Sequence, residues 1–259
     1  MCIEKSVGEG GVNTREDGVV IQILLNYNRP PPLPPLGVDG GVGKMTKDAI
    51  REFQTRVMKM PAPDGKVDPG GATLATLRKG IAAGPIDATI LRGIMPSASA
   101  SKVQTYLQPI LNGMAGRAIN TKLRQAHFLA QTGHESGGLV YSEEIASGEA
   151  YNGRADLGNT EPGDGPKFKG RGLIQLTGRA NYTAYGTAIG RDLLTTPSVV
   201  STDPFLAVDA ACWFWETHNL NTWADADDIK TITRKINGGL NGLADREAYL
   251  RRAKFFLGL

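Results

Sequence analysis

Apolar residues along the 259-residue chain recur mainly at helical spacing, which predicts a mainly α-helical protein. Near the start, the run Asn13-Thr14-Arg15-Glu16 sets an acceptor side chain three residues before a glutamate, ahead of the apolar stretch Val19 to Leu25. That is the pattern of a capped helix. Five prolines between Arg29 and Leu36 must end it. Thr46 is then expected to open a helix over Lys47 to Val57, where Ala49, Ile50, Phe53 and Val57 share one face, and another helix is expected about Thr73 to Lys79. The turns before these helices repeat. Asp39-Gly40-Gly41-Val42 leads to Thr46, and Asp64-Gly65-Lys66-Val67 leads to Thr73.

Residues 81–100 are rich in Gly, Ala, Pro and Ser, the composition of a connector that need not bury anything. They are expected to hold the linker and the start of the larger domain, between a small domain over residues 1–80 and the rest of the larger one over 101–259. In the larger domain Ser99 or Ser101 can cap a helix through Leu107, and Asn120 the next, Thr121 to His134. In that second helix Ile119, Leu123, Ala126, Ala130 and Gly133 fall within about 80° of one another, a stripe for burial. Glu135 lies about 160° from Ile119, on a face with Phe128 and Gln131 directed away from the core. Ser136-Gly137-Gly138 should stop the helix. The stop matters, because in a continuous helix Glu144 would sit about 13.5 Å further along the axis and on the opposite side. With the helix broken, the chain can turn back and set both carboxylates beside one cleft. Trp213, Phe214 and Trp215, in a helical run from Pro204 to His218, are expected in the core rather than as a sugar platform.

Composition narrows the function classes. Hydrophobic residues make up 41% of the chain, enough for a proper core. No apolar run approaches the roughly 18 residues of a membrane span, and residues 1–11 lack the apolar segment that drives secretion, so a protein made and left in a cytoplasm, without stable membrane association, is expected. Two cysteines, Cys2 and Cys212, make a disulfide framework improbable, and Cys212 is expected in the core. The net charge of +3 comes without a basic stripe interleaved with aromatics, which argues against nucleic acid. His127, His134 and His218 form no Cys/His cluster of zinc spacing, so neither metal nor cofactor is expected.

Two carboxylates across a cleft can perform glycoside hydrolysis, one protonating the leaving oxygen and the other activating water or attacking the anomeric carbon. Alone, the pair is common surface chemistry, with Glu143, Glu149 and Glu161 also nearby. The surrounding words are more specific. Gly133-His134-Glu135-Ser136-Gly137-Gly138, Tyr141-Ser142-Glu143-Glu144 and the block Gly170-Arg171-Gly172-Leu173-Ile174-Gln175-Leu176-Thr177-Gly178-Arg179-Ala180-Asn181-Tyr182 resemble the family 19 glycoside hydrolases, which include plant chitinases and many bacteriophage endolysins. The run Asp39 to Gln54 resembles the small three-helix peptidoglycan-binding domain that accompanies many wall hydrolases, with the Pro-rich insert at Arg29 to Leu36 as a departure.

These resemblances imply a three-helix wall-binding domain followed by a lysozyme-like, two-lobed helical catalytic domain. They place the general acid at Glu135 and the general base at Glu144, in preference to Glu143. Thr177 would hold the attacking water, Gln175, Asn181, Tyr182 and Asn237 would contact the sugar, and Arg246 would serve the carboxylate network with His134 in support. The implied function is a monomeric endolysin that cuts the β-1,4 links of peptidoglycan glycan strands with inversion, released from the host cytoplasm by a separate membrane-permeabilising protein. A chitinase, a non-catalytic wall-binding protein and a lytic transglycosylase remain as alternatives.

Overall fold

A computed structural model describes residues 2–30, 32–81 and 84–259, so Pro31 of the proline-rich insert and residues 82–83 of the expected connector lie outside the described residues. The chain divides into two compact units, Met1–Pro96 with Arg251–Leu259, and Ser97–Leu250.

The first unit contains β1 (Val7–Gly8), α1 (Arg15–Tyr27), α2 (Lys44–Arg56), β2 (Lys66–Val67), α3 (Ala72–Arg78) and α4 (Ala88–Ile94). The two strands pair antiparallel, with Val7 opposite Val67. α1 is apolar almost all round, and Val19, Val20, Ile21, Ile23, Leu24 and Leu25 are buried, so it forms the centre of this unit. Its cap is Thr14, whose hydroxyl accepts from the Asp17 N–H and donates to the Asp17 carboxylate at 2.7 Å. The expected Asn13 is instead in a left-handed conformation, φ 59°, and ties the turn at Gly8 with its side chain. α2 begins before the expected Thr46, because Thr46 is buried and donates its hydroxyl proton to the Gly41 carbonyl at 3.1 Å.

The repeat read in the turns has a physical basis, a buried glutamine that latches each one. Gln22 Nε2 donates to Asp39, to the Gly41 carbonyl and to Thr46, while its Oε1 accepts from the Gly40 N–H. Gln54 Nε2 donates to Asp64, to the Lys66 carbonyl and to Thr73, while its Oε1 accepts from the Gly65 N–H. Each latch satisfies polar backbone that its loop would otherwise bury unpaired.

The expected connector is in part a fourth helix, α4, capped by Asp87 and burying Ile90, Leu91 and Ile94. Its small residues serve close packing: a side chain at Gly93 would meet the Phe256 ring at 2.3 Å. The three helices expected over residues 1–80 are α1, α2 and α3, and the compact unit extends beyond them through α4 and residues 251–259.

The second unit begins with α5 (Ala100–Gly116), capped by Ser99, and α6 (Lys122–Glu135), capped by Thr121 rather than Asn120. After a loop with two short 3-10 helices come α7 (Asp164–Lys167), α8 (Arg179–Ile189), α9 (Val199–Thr202), α10 (Pro204–Thr217), α11 (Leu220–Asp225), α12 (Ile229–Asn237) and α13 (Leu243–Leu257), whose last residues belong to the first unit. α10 packs on α5, α9 and α11, and α6 packs on α11. The approach of α5 to α10 is close at Gly113, where a Cβ would lie 2.9 Å from the Cys212 sulfur. Phe168, Leu176, Tyr182, Tyr185, Leu193 and Val200 form a cluster against Ala210 and Trp213 of α10. Cys212, Trp213 and Trp215 are buried as expected, with Phe214 half-buried, and both cysteines are free thiols.

Candidate active site

Glu135 is the last residue of α6, and the chain leaves the helix through Gly137, Gly138 and Leu139, three successive residues at φ 58°, 71° and 66°. Glycine accepts this conformation at little cost. Space adds a second demand, since a Cβ on Gly138 would lie 2.1 Å from the Ser97 hydroxyl. The turn is fixed by the Gly138 N–H donating to the Gly133 carbonyl at 2.7 Å and by the Ser136 hydroxyl accepting from the Leu139 N–H at 2.8 Å.

The face of α6 that carries Glu135 is not a solvent face, contrary to expectation. Phe128 and Gln131 are fully buried, because α11, α12 and α13 cover this side of the helix. Arg246 of α13, itself 2% exposed, donates one guanidinium nitrogen to Glu135 and another to Gln131. Gln131 in turn donates to the Thr233 hydroxyl of α12 at 3.3 Å. Three helices thus hold one carboxylate, which keeps 18% of its surface open. His134 shares a 2.7 Å hydrogen bond with Asp245, and its ring occupies the space a side chain at Gly242 would need.

Glu144 is built differently. Its Oε1 accepts from the Tyr151 hydroxyl at 2.9 Å and its Oε2 from the Gly170 N–H at 3.2 Å, while its own N–H donates to the Gly170 carbonyl. Lys169 Nζ donates to the Glu144 carbonyl at 3.0 Å. Burial raises the Tyr151 pKa, as do its hydrogen bond to Glu144 and that group's charge, so the hydroxyl keeps the proton it donates.

Gly170 is a meeting point. A methyl group on it would lie 2.8 Å from Gln175 Oε1 and 3.3 Å from both Glu144 Oε2 and Thr177 Oγ1. The Gln175 amide nitrogen donates to the Gly172 carbonyl and the Thr177 hydroxyl donates to the Gln175 carbonyl, so three acceptor oxygens converge there. Gln175 holds φ 56°, a strained conformation for a side-chain-bearing residue, within a tight turn where Arg171 and Leu176 exchange both backbone hydrogen bonds.

Glu143 points into a different setting. Lys169, Arg171 and Ser201 donate to it at 3.1, 3.3 and 3.1 Å. Burial would raise its pKa, but the Lys169 hydrogen bond, the Arg171 charge and the Ser201 hydrogen bond outweigh that and hold it below the usual carboxylate value. It is a tie for the loop, and this separates the Glu143-Glu144 doublet.

Tyr182, expected among the sugar contacts, is fully buried, and burial raises its pKa to about 12. Its hydroxyl donates to the Lys169 carbonyl and accepts from Arg171, so it supports the Gly170 loop from beneath instead of touching ligand. Asn181 is exposed, with its amide donating to the Thr177 carbonyl; Asn237, at the end of α12, is exposed and donates to the Asn241 carbonyl. Glu144, Gln175, Thr177 and Asn181 therefore form one connected group, and Glu135, Arg246, Gln131 and Thr233 another. Tyr151 and Gly170 were not foreseen as partners of Glu144; a tyrosine among the small and polar residues 147–153 is the one local signal for the former.

Among the described residues no group of histidine, cysteine or acidic side chains is arranged to hold a metal ion.

Comparison with known sequences matches residues 109–233 to the chitinase class I family of glycoside hydrolase family 19, and residues 14–77 to a peptidoglycan binding domain family. A glycosyl hydrolase family 19 domain-containing protein of Haemophilus influenzae is 36% identical over 156 residues, which cover 48% of this chain and 76% of that protein. An endochitinase of Arabidopsis thaliana is 44% identical over 115 residues, covering 44% of this chain but only 38% of the plant enzyme. Among solved structures, a bacterial family 19 chitinase is 26% identical, with a TM-score of 0.53 over 66% of this chain and 94% of the other. Chitinase C of Streptomyces griseus, 24% identical, shares the fold with a TM-score of 0.56 over 67% of this chain and 92% of its own. With most of the Haemophilus protein spanned at that identity, this chain belongs to the family 19 glycoside hydrolases.

Proposed function

We propose that the protein hydrolyses the β-1,4 links between the amino sugars of bacterial peptidoglycan, in the manner of a phage endolysin, with Glu135 as general acid and Glu144 as general base. The observation that carries this is the presence, in one chain, of a family 19 unit and a peptidoglycan-binding module. The module would raise the local concentration of wall around the catalytic unit, so modest affinity suffices.

The side chains suit a single displacement by water. Glu135 gives its proton to the glycosidic oxygen, and the Arg246 guanidinium against it offsets the charge left behind. The water gives its proton to Glu144, with Thr177 Oγ1 and Gln175 Oε1 as further acceptors to orient it. Both partners of Glu144 are donors, which keeps its oxygens facing the water as acceptors. Asn181 and Asn237 are then sugar contacts, with His134 bracing the end of α6. We further propose a monomer that reaches the wall from the host cytoplasm through a separate membrane-permeabilising protein.

Chitin is the second reading, favoured by the endochitinase relatives of plants. Purified walls and colloidal chitin offered side by side, with mass spectrometry of reduced fragments, decide between them. Wall breakdown to fragments with reducing amino-sugar ends, absent with Glu135→Gln, is expected. Anhydro sugar ends would instead indicate a transglycosylase, and loss of chitin alone would reject the wall reading.

A further inference from the structure

The first unit has an apolar cavity of about 60 Å³ whose floor is Leu25, Ala49 and Phe53. Pro30 and Leu33 line its other side. Three residues past Leu33, the Asn26 side chain both donates to the Leu36 carbonyl and accepts from the Leu36 N–H, at 3.0 and 2.7 Å, so a two-bond clasp holds Leu36.

Volume and charge narrow the occupant. A water needs roughly 10–15 Å³ measured this way, so the cavity admits a few heavy atoms, such as a methyl or short aliphatic group, and not a sugar ring. The apolar floor offers no partners for hydroxyl groups. At the rim Glu52 lies between Arg29 at 3.6 Å and Arg56 at 3.3 Å, two cations to one anion. Arg56 is 66% exposed, and Arg29 Nε is a buried donor without an acceptor. A ligand with small apolar side chains and free carboxylates meets these demands, because guanidinium groups pair with carboxylates in a planar, two-bond geometry.

Peptidoglycan contains one component of that chemistry: its stem peptide, alanine-rich and carrying free carboxylates. We infer that this cavity takes an alanyl methyl group of the stem peptide, with a stem carboxylate on Arg56 and Arg29. The wall-binding module would then grip the peptide while the catalytic unit works on the glycan. The inference rests on the wall reading and adds the part of the wall that is held.

The test uses the full chain carrying Glu135→Gln, so that no substrate is cut. It is titrated by NMR with the free tetrapeptide L-alanyl-γ-D-glutamyl-meso-diaminopimelyl-D-alanine, and separately with peptide-free glycan strands. The tetrapeptide should shift the amides of residues 49–57, and adding Arg56→Glu, a change at an exposed position, should weaken that binding at least tenfold. Glycan strands should leave those amides unmoved. Shifts from glycan strands and none from the peptide would overturn the inference while keeping the wall reading. Failure of intact wall sacculi to retain the Glu135→Gln chain would overturn both.

Discussion

Neighbouring glutamates reach opposite ends of usefulness here through their partners alone. Glu144 keeps two acceptor oxygens beside a glycine, whereas Glu143 is consumed by Lys169, Arg171 and Ser201. Replacing Glu135 or Glu144 by Gln should lower kcat roughly 10²- to 10⁴-fold, measured on purified walls; Glu144→Gln should leave the melting temperature nearly unchanged, whereas Glu135→Gln should lower it by removing the counter-charge of the buried Arg246. Glu143→Gln should do the reverse, lowering stability more than turnover. Because the folded-state pKa of Glu143 is depressed below 4.5, its contribution to stability is present above that value and lost as pH falls through the folded pKa. The variant should therefore show a shallower loss of melting temperature than the parent on acidification below about pH 4.5. Gly170→Ala offers a sharper probe. Its backbone tolerates alanine, yet the methyl group intrudes among Gln175, Glu144 and Thr177, so kcat should fall while the fold persists.

Elements were legible where periodicity was strong, and less so at their ends. The main helices appeared from apolar spacing, but three starts moved: Thr14 displaced Asn13, Gly43 displaced Thr46 and Thr121 displaced Asn120. Asn13 ties a turn with its side chain and Thr46 is a buried hydrogen-bonding partner, uses that composition cannot distinguish from a cap, while Asn120 stays exposed one residue before the true cap. Small residues signify either exposure or close packing, and within the stretch 81–100 the Phe256 ring against Gly93 shows packing at α4, which belongs to the first unit. The Glu135 to Gly138 segment drew notice in the sequence because its residues are adjacent, whereas Arg246 meets Glu135 across 111 positions and no local pattern shows that contact. The turn latches give a matched prediction. Gln22→Ala and Gln54→Ala each strand buried polar groups, and each should destabilise the first unit by about 1–3 kcal/mol, read by hydrogen exchange at α1 amides. Unequal costs would mean that the repeat is one of sequence and not of energetics.

At the scale of the molecule, the first unit is discontinuous: residues 251–259 return to it after the second unit has been traversed. Ala253 and Phe256 are buried, and Arg252 reaches Glu16 at 3.3 Å. Removing those nine residues should therefore loosen a unit whose other residues end at Pro96, which a linear reading of domains 1–80 and 101–259 does not anticipate. Increased exchange at α1 and α4 amides after truncation is the expected result. The same arrangement makes residues 97–250 a cartridge, entered at one junction and left at another. Since the exit lies inside α13, residues 251–257 enter the first unit already helical, so any enzyme put in place of the cartridge must itself end as a helix.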